Sequence, residues 1–219
     1  MHLIVGLGNP GPQYAETFHN MGFLCLEALK AKLGLSFSQR KCKAEVAETY
    51  IREEKAVFAR PQTFMNLSGE SVRELVNFYK LPLDRVMIVY DDLDLDRGII
   101  RIRPSGTPGT HNGMRNVCYC LNTPMIPRIR VGIGRPAHPG FDVKDYVLAR
   151  IPKEDQPLMV QTLNLAADAV IEWIGGASFD DLMQKYNAPD KKRGRPPKKK
   201  PPEPDSRPKG EEGEGPEAD

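Results

Sequence analysis

The chain has 219 residues, 27% of them charged, a formal net charge of +2 and four cysteines. That length suits one domain plus an appendage, and a core of about 190 residues buries roughly 70% of its unfolded surface without a metal or disulfide staple. The near-neutral balance requires any nucleic-acid binding by the core to come from local patches, and no apolar run is long enough to span a membrane.

The opening lacks a basic segment followed by a long apolar stretch, so secretion is not expected and a cytoplasmic location is. Cys25, Cys42, Cys118 and Cys120 are spaced for neither a zinc site nor a disulfide framework, which fits a reducing compartment.

Leu3, Ile4 and Val5 are apolar on both faces and predict a central strand. The strand runs into Gly6-Leu7-Gly8-Asn9-Pro10-Gly11. After Thr17-Phe18-His19-Asn20 a helix is predicted, starting near His19 and ending near Gly34, with Leu24, Ala28 and Ala31 at helical spacing. The pattern Gly6-x-Gly8-x-x-Gly11 has a dinucleotide-binding look. Several non-helical residues follow it, however, and a plain tight turn explains it as well.

Residues 38–51 alternate loosely and read as one strand. Residues 56–59 form a short apolar strand running into Arg60-Pro61-Gln62-Thr63-Phe64-Met65-Asn66-Leu67-Ser68-Gly69, a second strand-to-helix turn. The helix over 70–79 sets Val72, Leu75, Val76 and Tyr79 on one face. Residues 86–89 make another buried strand, ending at Tyr90-Asp91-Asp92. Residues 99–103 alternate apolar and basic, as an edge strand does, with Arg101 and Arg103 on one face.

A loop over 105–113 precedes a helix over 114–121. A strand follows at 128–133, a turn at 136–140 and a long amphipathic helix at 155–173, with Pro157 tolerated in its first turn. A short helix over Phe179–Tyr186 closes the core. Alternating strands and helices predict an α/β fold: a single three-layer domain with a twisted, mostly parallel mixed sheet flanked by helices, over residues 1–188. Residues 189–219 are proline-rich, charged and almost without apolar side chains, and are expected to form a disordered tail. Residues 191–200 carry seven positive charges and no negative one, whereas residues 211–219 carry five negative and no positive.

The polar residues at strand ends and loops are Asn9, Asn66, Asp91 and Asn112. His19 lies near them, and His111 stands beside a predicted site loop. There is no Gly-x-Ser-x-Gly elbow and no pair of His with a carboxylate at metal-ligand spacing. What remains is a metal-free site of one imidazole, one carboxylate and several amides. Such a set suits hydrolysis by activated water: a neutral imidazole takes a proton near pH 7, a carboxylate fixes its tautomer, and amides both donate and accept. Taken singly, each residue has a structural reading, because Asn caps turns and a His at a helix start packs.

Four stretches, LIVGLGNPGPQYAETFHNMGF, RPQTFMNLSGESV, VYDDLDLDRGIIRIR and GTHNGMRNV followed by RIRVGIGRP, resemble bacterial peptidyl-tRNA hydrolase in order and spacing, over about residues 1–186. The resemblance implies a monomeric enzyme that cleaves the ester between peptide and tRNA with water, releases tRNA for reuse in translation, and uses no cofactor or metal. It implies His19 as the catalytic base and Asp91 as its orienting partner. It places Asn9, Asn66 and Asn112 on the substrate, Tyr14 near the tRNA end, and Arg101, Arg103 and Arg130 on the acceptor stem of peptidyl-tRNA. Thr110 stands where the family often has glycine. Threonine is poorly tolerated at positive φ, so the loop before Asn112 is expected to sit differently.

The tail has no counterpart recognised in the family. Its Arg193-Gly194-Arg195-Pro196 core is similar to an AT-hook that enters narrow A·T minor grooves, and a basic tail also attracts any polyphosphate. A non-catalytic RNA-binding relative of the splicing-factor type and a tail-driven nucleic-acid-binding protein are the competing readings.

Overall fold

The structure is a computed structural model and describes residues 1–136 and 140–187. The expectations for the tail, and the middle of the turn expected over 136–140, lie outside the described residues. Seven strands form one sheet: β1 (His2–Gly6), β2 (Gln39–Lys41), β3 (Ala44–Ile51), β4 (Glu54–Pro61), β5 (Val86–Asp92), β6 (Ile100–Arg103) and β7 (Arg128–Gly132). Their order is β2-β3-β4-β1-β5-β7-β6. The four central strands β4, β1, β5 and β7 are parallel, and β2, β3 and β6 are added antiparallel at the two sides.

This order follows from side-chain character. β1 is buried throughout and β5 up to Asp91, as parallel strands covered on both faces must be. The basic alternation of β6 suits an edge, where one face meets solvent. Helices α1 (Met21–Leu33), α5 (Gln156–Ile174) and α6 (Phe179–Tyr186) enclose one apolar cluster, with Ile4, Leu26, Val89, Ile102, Ala166 and Leu182 in it. Helices α2 (Ser68–Tyr79) and α3 (Asn112–Leu121) enclose the other, with Val5, Val72, Leu75, Ile88 and Val117. Two clusters on the two faces of one sheet make the three layers expected. No described helix is long and apolar enough to cross a membrane.

The strand expected over residues 38–51 is two strands. Cys42 and Lys43, both at positive φ, break it into β2 and β3. No glycine marks that turn, so the alternation reads through it. A short helix, α4 (Val143–Leu148), was not expected: six residues are too few to show a helical period. Asp142 caps it by accepting the Lys144 N–H at 2.9 Å.

The opening glycines serve packing. A Cβ on Gly6 would lie 2.3 Å from the Gly22 carbonyl oxygen, and one on Gly22 would lie 2.2 Å from the Leu7 nitrogen. α1 therefore rides directly on the backbone of β1 at the point where the chain leaves the sheet. A short 3-10 turn, Phe18–Asn20, precedes α1, and this turn carries His19.

Candidate active site

The carboxyl ends of β1 and β5, the turn after β4, the start of α3 and one side of α4 surround a cavity of about 610 Å³. Ligands in open α/β sheets bind at this end of the strands. Asn9, His19, Asn66, Asp91, Asn112 and Arg130 all line it. Tyr14, Arg101 and Arg103 do not: Tyr14 lies half-buried in a separate short turn, and both arginines lie on the edge strand.

Asp91 sits near the end of β5 and is only 3% exposed. Its carboxylate accepts two imidazoles. His19 Nδ1 lies 3.0 Å from Oδ1 and 3.1 Å from Oδ2, and His111 Nε2 lies 3.0 Å from Oδ1. The tautomers are set by the remaining partners. The Met114 backbone N–H donates to His111 Nδ1 at 3.1 Å, so that nitrogen keeps its lone pair and Nε2 carries the proton given to Asp91. His19 gives its Nδ1 proton to the same carboxylate, which leaves Nε2 as the ring's free acceptor.

The same contacts set the charges. Burial alone would raise the Asp91 carboxyl, but the two imidazoles, His111 and then His19, hold it well below the usual carboxylate range. Burial lowers the His19 imidazole, yet the charge of Asp91 and its hydrogen bond outweigh that and raise His19 above 6.5.

Donor atoms of His19, Asp91 and His111 lie within 4.8 Å of one another, close enough to be tested as a metal site. The tautomers fit poorly. As a neutral ligand through Nε2, His111 would need its proton on Nδ1, where the Met114 N–H already points. The trio is better suited to a hydrogen-bonded chain than to a cation.

Asn9 is clamped by its neighbours. Its backbone N–H donates to Asn20 Oδ1 at 2.8 Å, Asn20 Nδ2 donates back to the Asn9 carbonyl at 3.0 Å, and Asn9 Oδ1 accepts the Met65 N–H at 2.8 Å. The acceptor of its amide is thus spent on the protein, and Nδ2 is what it can offer a ligand. Asn66 and Asn112 differ: both are exposed at the cavity wall, in the 3-10 turn Met65–Leu67 and at the first residue of α3.

At Thr110 the backbone strain that a threonine would meet at positive φ does not arise. The left-handed residue there is Gly109, at φ 59°, and Thr110 is not among the residues at positive φ. The conformation that needs glycine falls on the glycine still present. Arg128, which sequence reasoning passed over, braces this loop from beneath. It is 1% exposed, and its guanidinium donates to the carbonyls of Ile126 (2.9 Å), Pro124 (2.6 Å) and Thr107 (3.4 Å).

His111, expected only to stand beside a site loop, is a second imidazole on Asp91. It is the N-cap of α3 as well as a partner of Asp91, and the only sequence signal was its place beside Asn112. On the edge, Arg101 stands opposite Arg130 and Arg103 opposite Arg128. Facing residues share a side of the sheet, so the four side chains start from one face, although the Arg128 guanidinium is buried against its three carbonyls. Arg130 is paired with Asp92.

The family whose sequence model matches, across residues 3–195, is described as peptidyl-tRNA hydrolase. A peptidyl-tRNA hydrolase of Alkaliphilus metalliredigens is 46% identical over 187 residues, 85% of this chain and 100% of that one. One of Carboxydothermus hydrogenoformans is 48% identical over 187 residues, 85% of this chain and 98% of that one. The crystal structure of peptidyl-tRNA hydrolase from Acinetobacter baumannii superposes with a TM-score of 0.79 at 32% identity, covering 85% of this chain and 96% of that one. Likeness over 85% of this chain and nearly all of each relative, in sequence and in fold alike, leaves one conclusion: the chain belongs to the peptidyl-tRNA hydrolase family.

Proposed function

We propose that this peptidyl-tRNA hydrolase activates water through His19, with Asp91 as the group that orients it. The observation that carries the reading is the His19–Asp91 pair, its free Nε2 belonging to a ring in the wall of a cavity large enough for a peptide end. Nε2 takes a proton as water attacks the ester carbonyl, and Asp91 stabilises the imidazolium that forms. His111 donates to the same carboxylate and fixes where that carboxylate points.

Asn9 Nδ2, its other amide atom already engaged, donates to a carbonyl of the substrate. Asn66 and Asn112 keep both donor and acceptor and suit the adjacent peptide unit and the incoming water. A site with amides aimed at a neutral peptide bond leaves them unpaired when a free amino acid is attached instead, which disfavours aminoacyl-tRNA. Tyr14, outside the cavity, is assigned a contact at the tRNA end. Arg101, Arg103 and Arg130 are assigned to phosphates of the acceptor stem, for which guanidinium geometry suits. Monomeric action in the cytoplasm completes the reading. The compact unit that closes at Ala188 supports taking residues 1–188 as the catalytic part.

Hydrolysis of N-acetyl-aminoacyl-tRNA by wild type and His19→Ala is the direct test. A fall in kcat of about 10²–10⁴-fold is expected with the fold intact. Undiminished turnover by the variant would remove His19 from the role.

A further inference from the structure

Arg97 lies in the loop between β5 and β6 and does not line the cavity. All three of its guanidinium nitrogens are engaged. Nε donates to the Ile133 carbonyl at 3.1 Å, Nη2 donates to the Tyr146 hydroxyl at 2.8 Å, and Nη1 is paired with Asp155. The Tyr146 hydroxyl gives its own proton to the Ile133 carbonyl at 2.7 Å, so a lone pair is what it offers Arg97. The guanidinium carbon stands 5.1 Å from the centroid of the Phe18 ring, and Phe18 in turn stacks on Tyr146 at 5.2 Å and 24°.

Each partner belongs to a different part of the fold. Phe18 precedes His19 in its 3-10 turn. Tyr146 is in α4, whose Val143, Lys144, Val147 and Leu148 line the cavity. Asp155 immediately precedes α5. Backbone bonds join the first two parts as well: the Phe18 N–H donates to the Ala149 carbonyl at 3.2 Å, and the Ile151 N–H donates to the Glu16 carbonyl at 2.9 Å. The turn that carries His19 thus lies antiparallel beside the end of α4, and one guanidinium touches both. A helix of six residues does not hold itself in water, so the place of α4 is set by such contacts.

We propose that Arg97 is a positioning residue for the hydrolysis, a reading that rests on His19 as the base. Its guanidinium fixes the α4 wall of the cavity against the turn that carries His19, and so sets where a bound ester lies relative to Nε2. Arg97 touches no reacting atom and acts through Phe18 and Tyr146. Reacting atoms must be held about 3–3.5 Å apart, and a displacement of about 1 Å caused far from the chemistry can cost about 10²-fold. The planar fork is what the place requires, since it donates to three partners while one face lies on an aromatic ring; a lysine supplies a single point charge.

The test measures kcat and KM of the full chain on N-acetyl-aminoacyl-tRNA. In R97A, kcat is expected to fall about 10–100-fold with KM within about two-fold of wild type, the pattern of an interaction that serves the transition state. The Arg97 side chain is 31% exposed, so a free guanidinium ion can reach the place it leaves. Millimolar guanidinium chloride is therefore expected to restore the kcat of R97A several-fold, where sodium chloride at the same concentration does not. A variant that was merely loosened would lose activity in guanidinium. Y146F keeps the ring on Phe18 and removes the acceptor, which protects the fold; its kcat should fall about three- to ten-fold, and it should add little to R97A. Wild-type kcat in R97A would overturn the proposal, as would recovery no better in guanidinium than in sodium chloride, or independent, additive losses from R97A and Y146F. A full R97A loss that persists on top of an impaired H19A would overturn it too, because Arg97 would then act elsewhere. Undiminished turnover by H19A overturns the reading of His19 as base instead, so the two failures are distinguishable.

Discussion

Two histidines stand at opposite ends of the same sheet and titrate in opposite directions. His2 opens β1, 2% exposed, with the Trp173 ring edge-on at 4.6 Å. His19 follows the other end of that strand. Burial lowers both. At His2 the next influences are the Arg85 guanidinium, 2.8 Å from Nε2, and the amino terminus, and the imidazole falls to about 4. At His19 the neighbour is a buried carboxylate, and the imidazole rises above 6.5. Burial is therefore not what makes a histidine reactive. The sign of the adjacent charge is, and the carboxyl end of the sheet is where β5 can supply a carboxylate beside a cavity.

Asp91→Asn tests this most severely, because it removes the buried carboxylate that raises His19. Only burial would then act on His19, and its basicity would fall below the ordinary 6.5, as it does at His2. In wild type the proposed base must be neutral, so kcat/KM rises with pH and levels off above the raised value of His19. In the variant that limb moves to lower pH, with kcat reduced by on the order of 10²–10³-fold as the tautomer is no longer held. A pH–rate profile decides; a limb that stays in place would show that Asp91 does not set the basicity of His19.

His111→Asn acts on the same carboxylate with a smaller expected effect. Asparagine is a good helix N-cap, so α3 should keep its start. The Nε2–H donated to Asp91 is lost, and more of the carboxylate's charge is left to His19. Turnover should drop by about ten-fold, in the range for loss of a hydrogen bond to a charged group. The pH limb should move up, opposite to the shift in Asp91→Asn. A downward shift would mean that His111 sustains the ionisation of Asp91 and does not compete for it.

How far the sequence anticipated these features depends on distance along the chain. The apolar runs of β1 and β5 and the helix Phe179–Tyr186 are local patterns and were legible. Asn9, His19 and Asp91 were legible as polar residues after buried strands. The double role of His111 was not, because it joins an N-cap within α3 to a carboxylate 20 residues earlier in β5. Arg128 lies within a strand, and nothing local shows that its guanidinium turns inward to three carbonyls. The spent acceptor of Asn9 depends on Met65, 56 residues away. Strand ends announce which residues reach a site, whereas the partners that set their protonation come from elsewhere in the fold.

His2→Leu has the smallest expected effect and sharpens the comparison from its inert side. His2 is far from the cavity wall, so turnover should stay within about two-fold of wild type, since substitutions away from a site rarely touch chemistry. Loss of the acceptor for the exposed Arg85 should cost about 1 kcal/mol near neutral pH, lowering Tm by about 2–4 °C for a chain of this size. The pH dependence is the sharper reading. Because the folded His2 is depressed to about 4 from 6.5, the unfolded chain binds more protons between those values, and this residue's share of stability is lost as pH falls through that window. His19 works the other way: its contribution is complete below 6.5 and is lost as pH rises through its raised folded value. In His2→Leu the acid-side loss attributable to residue 2 disappears, so the stability gap between wild type and variant should narrow on going from neutral pH towards pH 4, measured by urea unfolding. A gap that stays constant or widens would mean that His2 is not held neutral in the fold, and the contrast between the two ends of β1 would fail.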